Sequence, residues 1–310
     1  MEKKVITFDI WDTIIKRTCH PEEIKVHTLR YYYYKEYNKI KEEYRNELTL
    51  YRLRDSIEVE EYEKAREKGV DGECNFREVL ATLIERTHLG TEKEKEALKK
   101  ELPEYEIERE IEKTYINPLI TDIFKKYDKN KKYCISDFYM PKEDLIKILN
   151  AHGLDKKFEK VYVSADIMKT KRDEGHLFEY FSEKENIKYE NMIHVGDNQH
   201  SDIDMAGRYG IETIKIPNPK KYNFDINNLG NIDLKLENIK KDAKTENLAK
   251  LTRENLKEYK NSLYNQGIEF SAIAYYYIYD IIVDAVRKGY DKIYYQTREG
   301  ETFIKFHEII

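Results

Sequence analysis

The chain has 310 residues, of which 37% are charged, with 55 lysines and arginines against 60 aspartates and glutamates. The resulting net charge of -5 provides no general attraction to nucleic acid or to an anionic membrane surface. Mean hydropathy is -0.83, and no stretch approaches the roughly 18 apolar residues that a membrane span requires.

The three cysteines, Cys19, Cys74 and Cys134, are scattered and have no zinc-like spacing, so they read as reduced thiols of a cytoplasmic protein. The segment Met1 to Thr7 enters a strand directly and has no secretory signal pattern. The 27 tyrosines, Tyr31 to Tyr34 and Tyr275 to Tyr277 among them, read as amphipathic core-edge residues rather than as a base-stacking surface.

Residues 4–10 read as a buried strand that runs into Phe8-Asp9-Ile10-Trp11-Asp12-Thr13. From about 20 to 115 there is no strand signal, only charged segments of helical period such as Val79-Leu80-Leu83-Ile84, punctuated by Gly69, Gly72, Gly90 and Pro103. After Pro118 the pattern predicts strands at 131–136, 160–164, 192–196 and 211–216, with helices at about 141–151, 173–187 and 200–208 between them. Such alternation means a doubly wound parallel α/β sheet, here with a helical block inserted after its first strand.

The domain reading is therefore a core of 1–18 and 116–217, a helical insert of 19–115 and an irregular connector of 218–245. Residues 246–310 open a partial second α/β unit, with helices at about 246–261 and 268–288, a strand at 292–296 and a helix start at Arg298-Glu299. The sequence stops within an apolar helical pattern, Phe303 to Ile310, which predicts an N-terminal fragment of a longer protein with a covalently linked further domain.

Four segments carry the chemistry. Asp9 ends the first strand, and Ser136-Asp137 ends the second. Lys169 and Lys171 follow the third, and Gly196-Asp197 with Ser201-Asp202 closes the fourth. An open α/β sheet places its ligand site at these strand ends. A carboxylate, a hydroxyl, an ammonium and further carboxylates are the parts that metal-assisted phosphoryl transfer needs. Each has a plainer reading: Asp9 or Asp202 as a helix N-cap or turn residue, Ser136 as a strand-ending turn, and either lysine as a solvated one.

Taken together and in this order, the four segments resemble the haloacid dehalogenase-like (HAD) superfamily of hydrolases over roughly residues 4 to 217. The resemblance implies a cap domain in the inserted helices and Asp9 as a nucleophile that forms an aspartyl-phosphate. It also implies Mg²⁺ held by Asp9, Asp197 and the Trp11 carbonyl, with Asp202 as a ligand or as a group orienting metal-bound water. Thr13, Ser136, Lys171 and the Asp137 backbone N–H would bind the phosphoryl group, with Lys169 as the alternative ammonium. The implied partner is a small phosphorylated substrate.

One departure stands out. Most phosphatases of the superfamily carry a second aspartate two residues after the nucleophile as acid and base, and here that position is Trp11. Asp12 follows one residue later, either as the replacement acid or as a brace for the loop. An aromatic there is similar to the metal-free dehalogenase branch, which generally lacks the Gly-Asp that is intact here. The motif also resembles a subgroup with F-D-I-[aromatic]-D-T and S-D-x-Y, sometimes found in chains with polysaccharide-assembly domains. Three readings follow: a phosphatase or phosphotransferase favouring leaving groups that need little protonation, a weakly active or non-catalytic module binding a phosphorylated ligand, and a metal-free dehalogenase.

Overall fold

The computed structural model describes residues 4–218, 274, 277–285, 290, 292–295 and 299–309. Its strands are β1 Val5–Phe8, β2 Ile15–Arg17, β3 Thr114–Ile116, β4 Lys132–Ser136, β5 Lys160–Val163, β6 Met192–Gly196 and β7 Glu212–Lys215. β1, β4 and β6 are buried at every position, as strands covered by helices on both faces must be. Five strands form one parallel sheet in the order β5-β4-β1-β6-β7. In register, Thr7 lies opposite Tyr133 on one side and His194 on the other.

The chain builds outward from β1 to β4 and β5, then returns across the sheet to β6 and β7. That reversal puts a topological switch point at the C-terminal end of β1, where such sheets bind ligands. Leu177, Phe178 and Phe181 of the helix His176–Glu185 pack with Val5, Tyr133 and Ile135 to fill one layer of the core.

Between β1 and β4 the chain forms α1 Pro21–Lys35, α2 Glu47–Glu67, α3 Phe76–Thr87, α4 Glu92–Lys113 and α5 Ile120–Lys126. The apolar positions Val79, Leu80, Leu83 and Ile84 recur at helical spacing, and all are fully buried on α3. Pro103 does not punctuate the block as expected. It lies inside α4, which runs through it. A capping box between Thr91 and Glu94 and the burial of Leu98, Leu102 and Ile107 hold the helix together despite the roughly 3 kcal/mol that an interior proline costs. β2 and β3, three residues each, pair antiparallel at the two ends of the helical block, where the sequence shows no strand signal.

The expected helix at about 200–208 is instead a π-helical turn, Gln199–Asp204, followed by a short α-helix, Met205–Arg208. Residues 292–295 adopt no strand, against expectation, and Tyr294 is 85% exposed. A lone extended segment needs a neighbour to satisfy its backbone, and none pairs with these residues among those described. The expected helix at 246–261 and residue 296 lie outside the described residues, whereas 277–285 and Glu299–Ile309 are helical.

The chain divides into two compact units, Met1–Leu29 with Leu50–Phe224, and Arg30–Thr49 with Asp225–Ile310. In the second, Tyr32 and Tyr33 are buried, consistent with tyrosine as core filler, and the Tyr34 hydroxyl meets that of Tyr279. In the first, Arg54 of α2 is 1% exposed and donates to both oxygens of Glu106 on α4 at 2.6 and 2.7 Å, and to Glu58 at 3.1 Å. Glu106 also accepts from the Tyr139 hydroxyl at 3.2 Å. Arg54→Met would strand Glu106 without its cation, and removing one partner of a buried pair costs about 3–5 kcal/mol. Urea unfolding should show that loss. A midpoint equal to wild type would mean that the pair contributes nothing to stability.

Candidate active site

The backbone turns sharply after β1. Asp9 continues the ladder by donating its N–H to Val195 at 2.9 Å, whereas Asp12 takes a left-handed φ of 58°. Asn117, one residue after β3, secures this turn by donating its side-chain N–H to the Thr13 carbonyl at 2.9 Å and its backbone N–H to the Ile14 carbonyl at 2.8 Å. Asp9 is thereby held at the sheet's C-terminal edge with 7% of its surface exposed.

Three other segments close on it. Ser136, at the end of β4, donates to Asp9 Oδ1 at 3.0 Å. Lys171 is 1% exposed and its ammonium donates to Asp9 Oδ1 at 2.7 Å and to Asp202 Oδ1 at 2.6 Å. Lys169, by contrast, is turned away and faces Glu179 at 3.8 Å. After β6, Asp197 accepts from Thr13 Oγ1 at 3.2 Å and from Asn218 Nδ2 at 2.8 Å. Asp202, within the π-helical turn, accepts from the Asn198 backbone N–H at 2.9 Å. Gly196 is needed for this approach, since a Cβ there would lie 2.3 Å from the Asp202 side chain.

Oxygens of Asp9, Asp197 and Asp202 lie within 4.8 Å of one another. One ammonium, Lys171, stands among three carboxylates, so the cluster carries an excess of two negative charges when ionised. Hard carboxylate oxygens and a charge deficit of that size suit a divalent cation such as Mg²⁺. The fit is also visible in the carboxyl acidities. Burial pushes Asp9 up to about 7, opposed by Lys171 and reinforced by Asp202 and Asp197. Burial likewise raises Asp197. Asp202 is pulled below the usual carboxylate range, because Lys171 and His194 outweigh its burial.

Two sequence-selected residues have other engagements. The Asp137 carboxylate accepts from the backbone N–H groups of Lys171 at 2.7 Å and Arg172 at 3.0 Å, so its side chain shapes the lysine loop. Trp11 is buried, with the Arg17 guanidinium 3.7 Å over its ring and the Phe138 ring 4.5 Å away. Asp12 is half-buried, and its charge is felt by Asp197.

Three neighbours of the site lie outside the four sequence segments. His194 is fully buried in β6 and bridges Thr7 Oγ1 at 2.8 Å and Asp202 Oδ1 at 3.4 Å. A histidine two residues before Gly196-Asp197 in an apolar strand was the available signal. Asn117 and Asn218 lie in loops whose composition gives no such cue.

A parallel α/β sheet with a helical insert after its first strand, and with acidic, hydroxyl and lysine groups converging at its C-terminal edge, defines the class of fold and site. The sequence profile of the haloacid dehalogenase-like hydrolases matches residues 3–210, and the chain belongs to that family. Among solved structures, the 2-haloacid dehalogenase from Pseudomonas syringae pv. Tomato DC3000 superposes with a TM-score of 0.51 at 20% identity, covering 76% of this chain and 99% of that one. The L-2-haloacid dehalogenase from Xanthobacter autotrophicus gives 0.43 at 14%, covering 71% and 79%. A HAD phosphatase from Thermococcus onnurineus gives 0.39 at 18%, covering 72% and 90%. These likenesses concern the fold. No curated protein sequence matches the chain. Among the described residues, no helix is long and apolar enough to cross a membrane.

The raised pKa of Asp9 predicts how cation binding depends on pH. The neutral carboxyl is favoured in the folded chain, so its contribution to stability is present at acid pH and is lost as pH rises through about 7. A metal takes the ionised form, so protons compete with it. Mg²⁺ affinity, measured by titration calorimetry, should weaken roughly tenfold per pH unit on descending from 7 towards 5.5, with proton release on binding. A flat profile would remove Asp9 from the ligand set.

Proposed function

We propose that the protein is a Mg²⁺-dependent phosphatase or phosphotransferase acting on a small phosphorylated metabolite through an aspartyl-phosphate on Asp9. The observation that carries this reading is the single oxygen of Asp9 held by both Ser136 and Lys171, beside two further carboxylates. A carboxylate so placed can attack phosphorus in line. The Ser136 hydroxyl and the Lys171 ammonium, with Thr13 and the Asp137 backbone N–H, would then receive the phosphoryl oxygens as charge develops on them.

Asp9, Asp197 and Asp202, with the Trp11 carbonyl, would hold the cation. When bound, Mg²⁺ neutralises phosphoryl charge and orients the group for attack. Lys171 keeps its proton, because the carboxylates of Asp202 and Asp9 raise its pKa in spite of burial. His194, fixed between Thr7 and Asp202, orients the Asp202 carboxylate. The cytoplasm, where phosphorylated metabolites are available, is the expected compartment.

A second reading, a metal-free dehalogenase, is favoured by one observation, the buried aromatic Trp11 at the position after Asp9-Ile10. The three-carboxylate cluster weighs against it, since such a cluster has no use in displacing a halide. A third reading keeps the same site as a weakly active module that binds a phosphorylated ligand within a larger protein, possessing the holding groups but no carboxyl acid at Trp11.

A panel of phosphorylated metabolites assayed with Mg²⁺ and with EDTA, alongside halide release from 2-chloropropionate, separates the three. Metal-dependent phosphate release supports the first, halide release with EDTA present the second, and tight binding without turnover the third. Asp9→Asn should reduce phosphatase turnover by several orders of magnitude with the fold intact. A variant retaining more than about a tenth of the wild-type rate would remove Asp9 as nucleophile.

A further inference from the structure

We propose that Asp71 is a positioning residue for Lys171. A carboxylate carried by the inserted helices fixes the loop that delivers the ammonium, so Lys171 reaches Asp9 and Asp202 only while the connection between α2 and α3 is seated on that loop. This rests on the phosphoryl-transfer reading above and adds to it a control of the same site by the helical block.

The loop does not hold its own shape. It runs from the helical turn Ser164–Ile167 to the helix His176–Glu185, and both Met168 and Glu174 take a left-handed φ, 56° and 58°. A residue with a Cβ is strained there and keeps that conformation only where its surroundings impose it. The surroundings are carboxylates, which hold three consecutive backbone N–H groups. Asp137 accepts from Lys171 at 2.7 Å and from Arg172 at 3.0 Å. Asp71 Oδ2 accepts from Thr170 at 2.7 Å. The first carboxylate belongs to the end of β4, the second to the inserted helices.

The same short segment grips the loop at other points. The Asp71 backbone N–H donates to the Met168 carbonyl at 3.2 Å, and Asp71 Oδ1 lies 2.8 Å from His176 Nδ1. The Arg172 guanidinium donates to the Gly72 carbonyl. With the Asp71 side chain only 11% exposed, water competes little for these bonds. Glu73 accepts from Ser164 Oγ, which in turn accepts the Phe138 backbone N–H at 2.9 Å. Residues 71–73 therefore brace both loops that present reactive groups: the lysine loop directly, and the Ser136–Phe138 segment through Ser164.

Asp71 acts on the chemistry through the position of Lys171. Removing the acceptor of the Thr170 N–H frees the backbone immediately before the lysine, and the ammonium can then exchange Asp9 and Asp202 for water. Three carboxylates remain without their cation. Such a cluster attracts a dication more strongly, yet lacks the ammonium that receives phosphoryl charge. Tighter metal binding with slower turnover is the signature of a misplaced lysine, whereas a generally weakened site loses both.

Asp71→Ala removes the acceptor, and Asp71→Asn keeps an oxygen for the Thr170 N–H. Lysine acylation read by peptide mass spectrometry has an internal reference, since the Lys169 side chain is 38% exposed and that of Lys171 is 1% exposed. In Asp71→Ala, labelling of Lys171 relative to Lys169 should rise about tenfold or more as the loop opens. Turnover of the best substrate on the metabolite panel should fall about 10²-fold in kcat, while Mg²⁺ affinity measured by calorimetry above neutral pH increases. Asp71→Asn should bring all three back towards wild type.

Lys171 labelling that is unchanged in Asp71→Ala overturns the proposal. So does a joint fall of kcat and Mg²⁺ affinity with Lys171 still protected, which marks a structural role alone. If no phosphate ester turns over and Mg²⁺ does not bind, the phosphoryl reading falls, and the labelling ratio still decides whether Asp71 places the ammonium. Should Asp71→Ala fail to fold, wild-type hydrogen exchange decides: the Thr170 and Asp71 amides should show equal protection, and a Thr170 amide that stays protected while Asp71 opens overturns the proposal.

Discussion

The site depends on one ammonium. Lys171 is almost wholly buried and is shared between Asp9 and Asp202, with Asp197 close by. Without it, three carboxylates would crowd into a volume that water scarcely reaches, and they could remain there only by taking up protons. With it, one carboxylate is secured in ionised form and another is left near the point of ionisation, so the cluster can accept a dication. The loop that delivers Lys171 is itself tied by the Asp137 carboxylate, which makes the second strand's terminal motif responsible for the third strand's cation. The segments are chemically distinct but mechanically one assembly.

The inserted helices and the parallel sheet are joined by the same logic of charge in low dielectric. Glu106 and Glu110 lie one turn apart on α4, the first reaching Arg54 and Tyr139, the second Arg17. Tyr139 extends the segment that begins at Ser136, and Arg17 lies on β2 directly beyond the Asp9 turn. Both loops that present reactive groups are thus referenced to a single helix. A buried pair of this kind is a weak source of net stability but a strong constraint on geometry, because any other arrangement strands a charge.

Much of this was legible beforehand, and for identifiable reasons. Strands buried on both faces give continuous apolar runs, so β1, β4, β5 and β6 were visible, and their ends located Asp9, Ser136 and Asp197. Lys171 was separable from Lys169 only by its position before a helix, and the structure places the two on different partners. What stayed hidden was set by long-range contacts. β2 and β3 are too short to carry a period, Pro103 was overridden by its helical surroundings, and the π-helical turn that aims Asp202 inward has no local code. The engagement of Asp137 with the lysine loop, and of Trp11 with Arg17, involves partners 34 and 6 positions away, which spacing alone does not specify.

The strand order has a consequence for how copies of this chain behave when concentrated. Among the described residues the sheet is open at β5 and β7, and an open parallel edge is a template for adding another strand. Both edges are guarded by charge. β7 begins with Glu212, ion-paired to Lys4, and ends with Lys215, which reaches Gln199. β5 opens on Lys160, 58% exposed and paired with Glu185. A neighbouring strand would have to strip water from these groups to dock. The same arrangement that leaves these two edges open among the described residues therefore discourages another strand from adding to them.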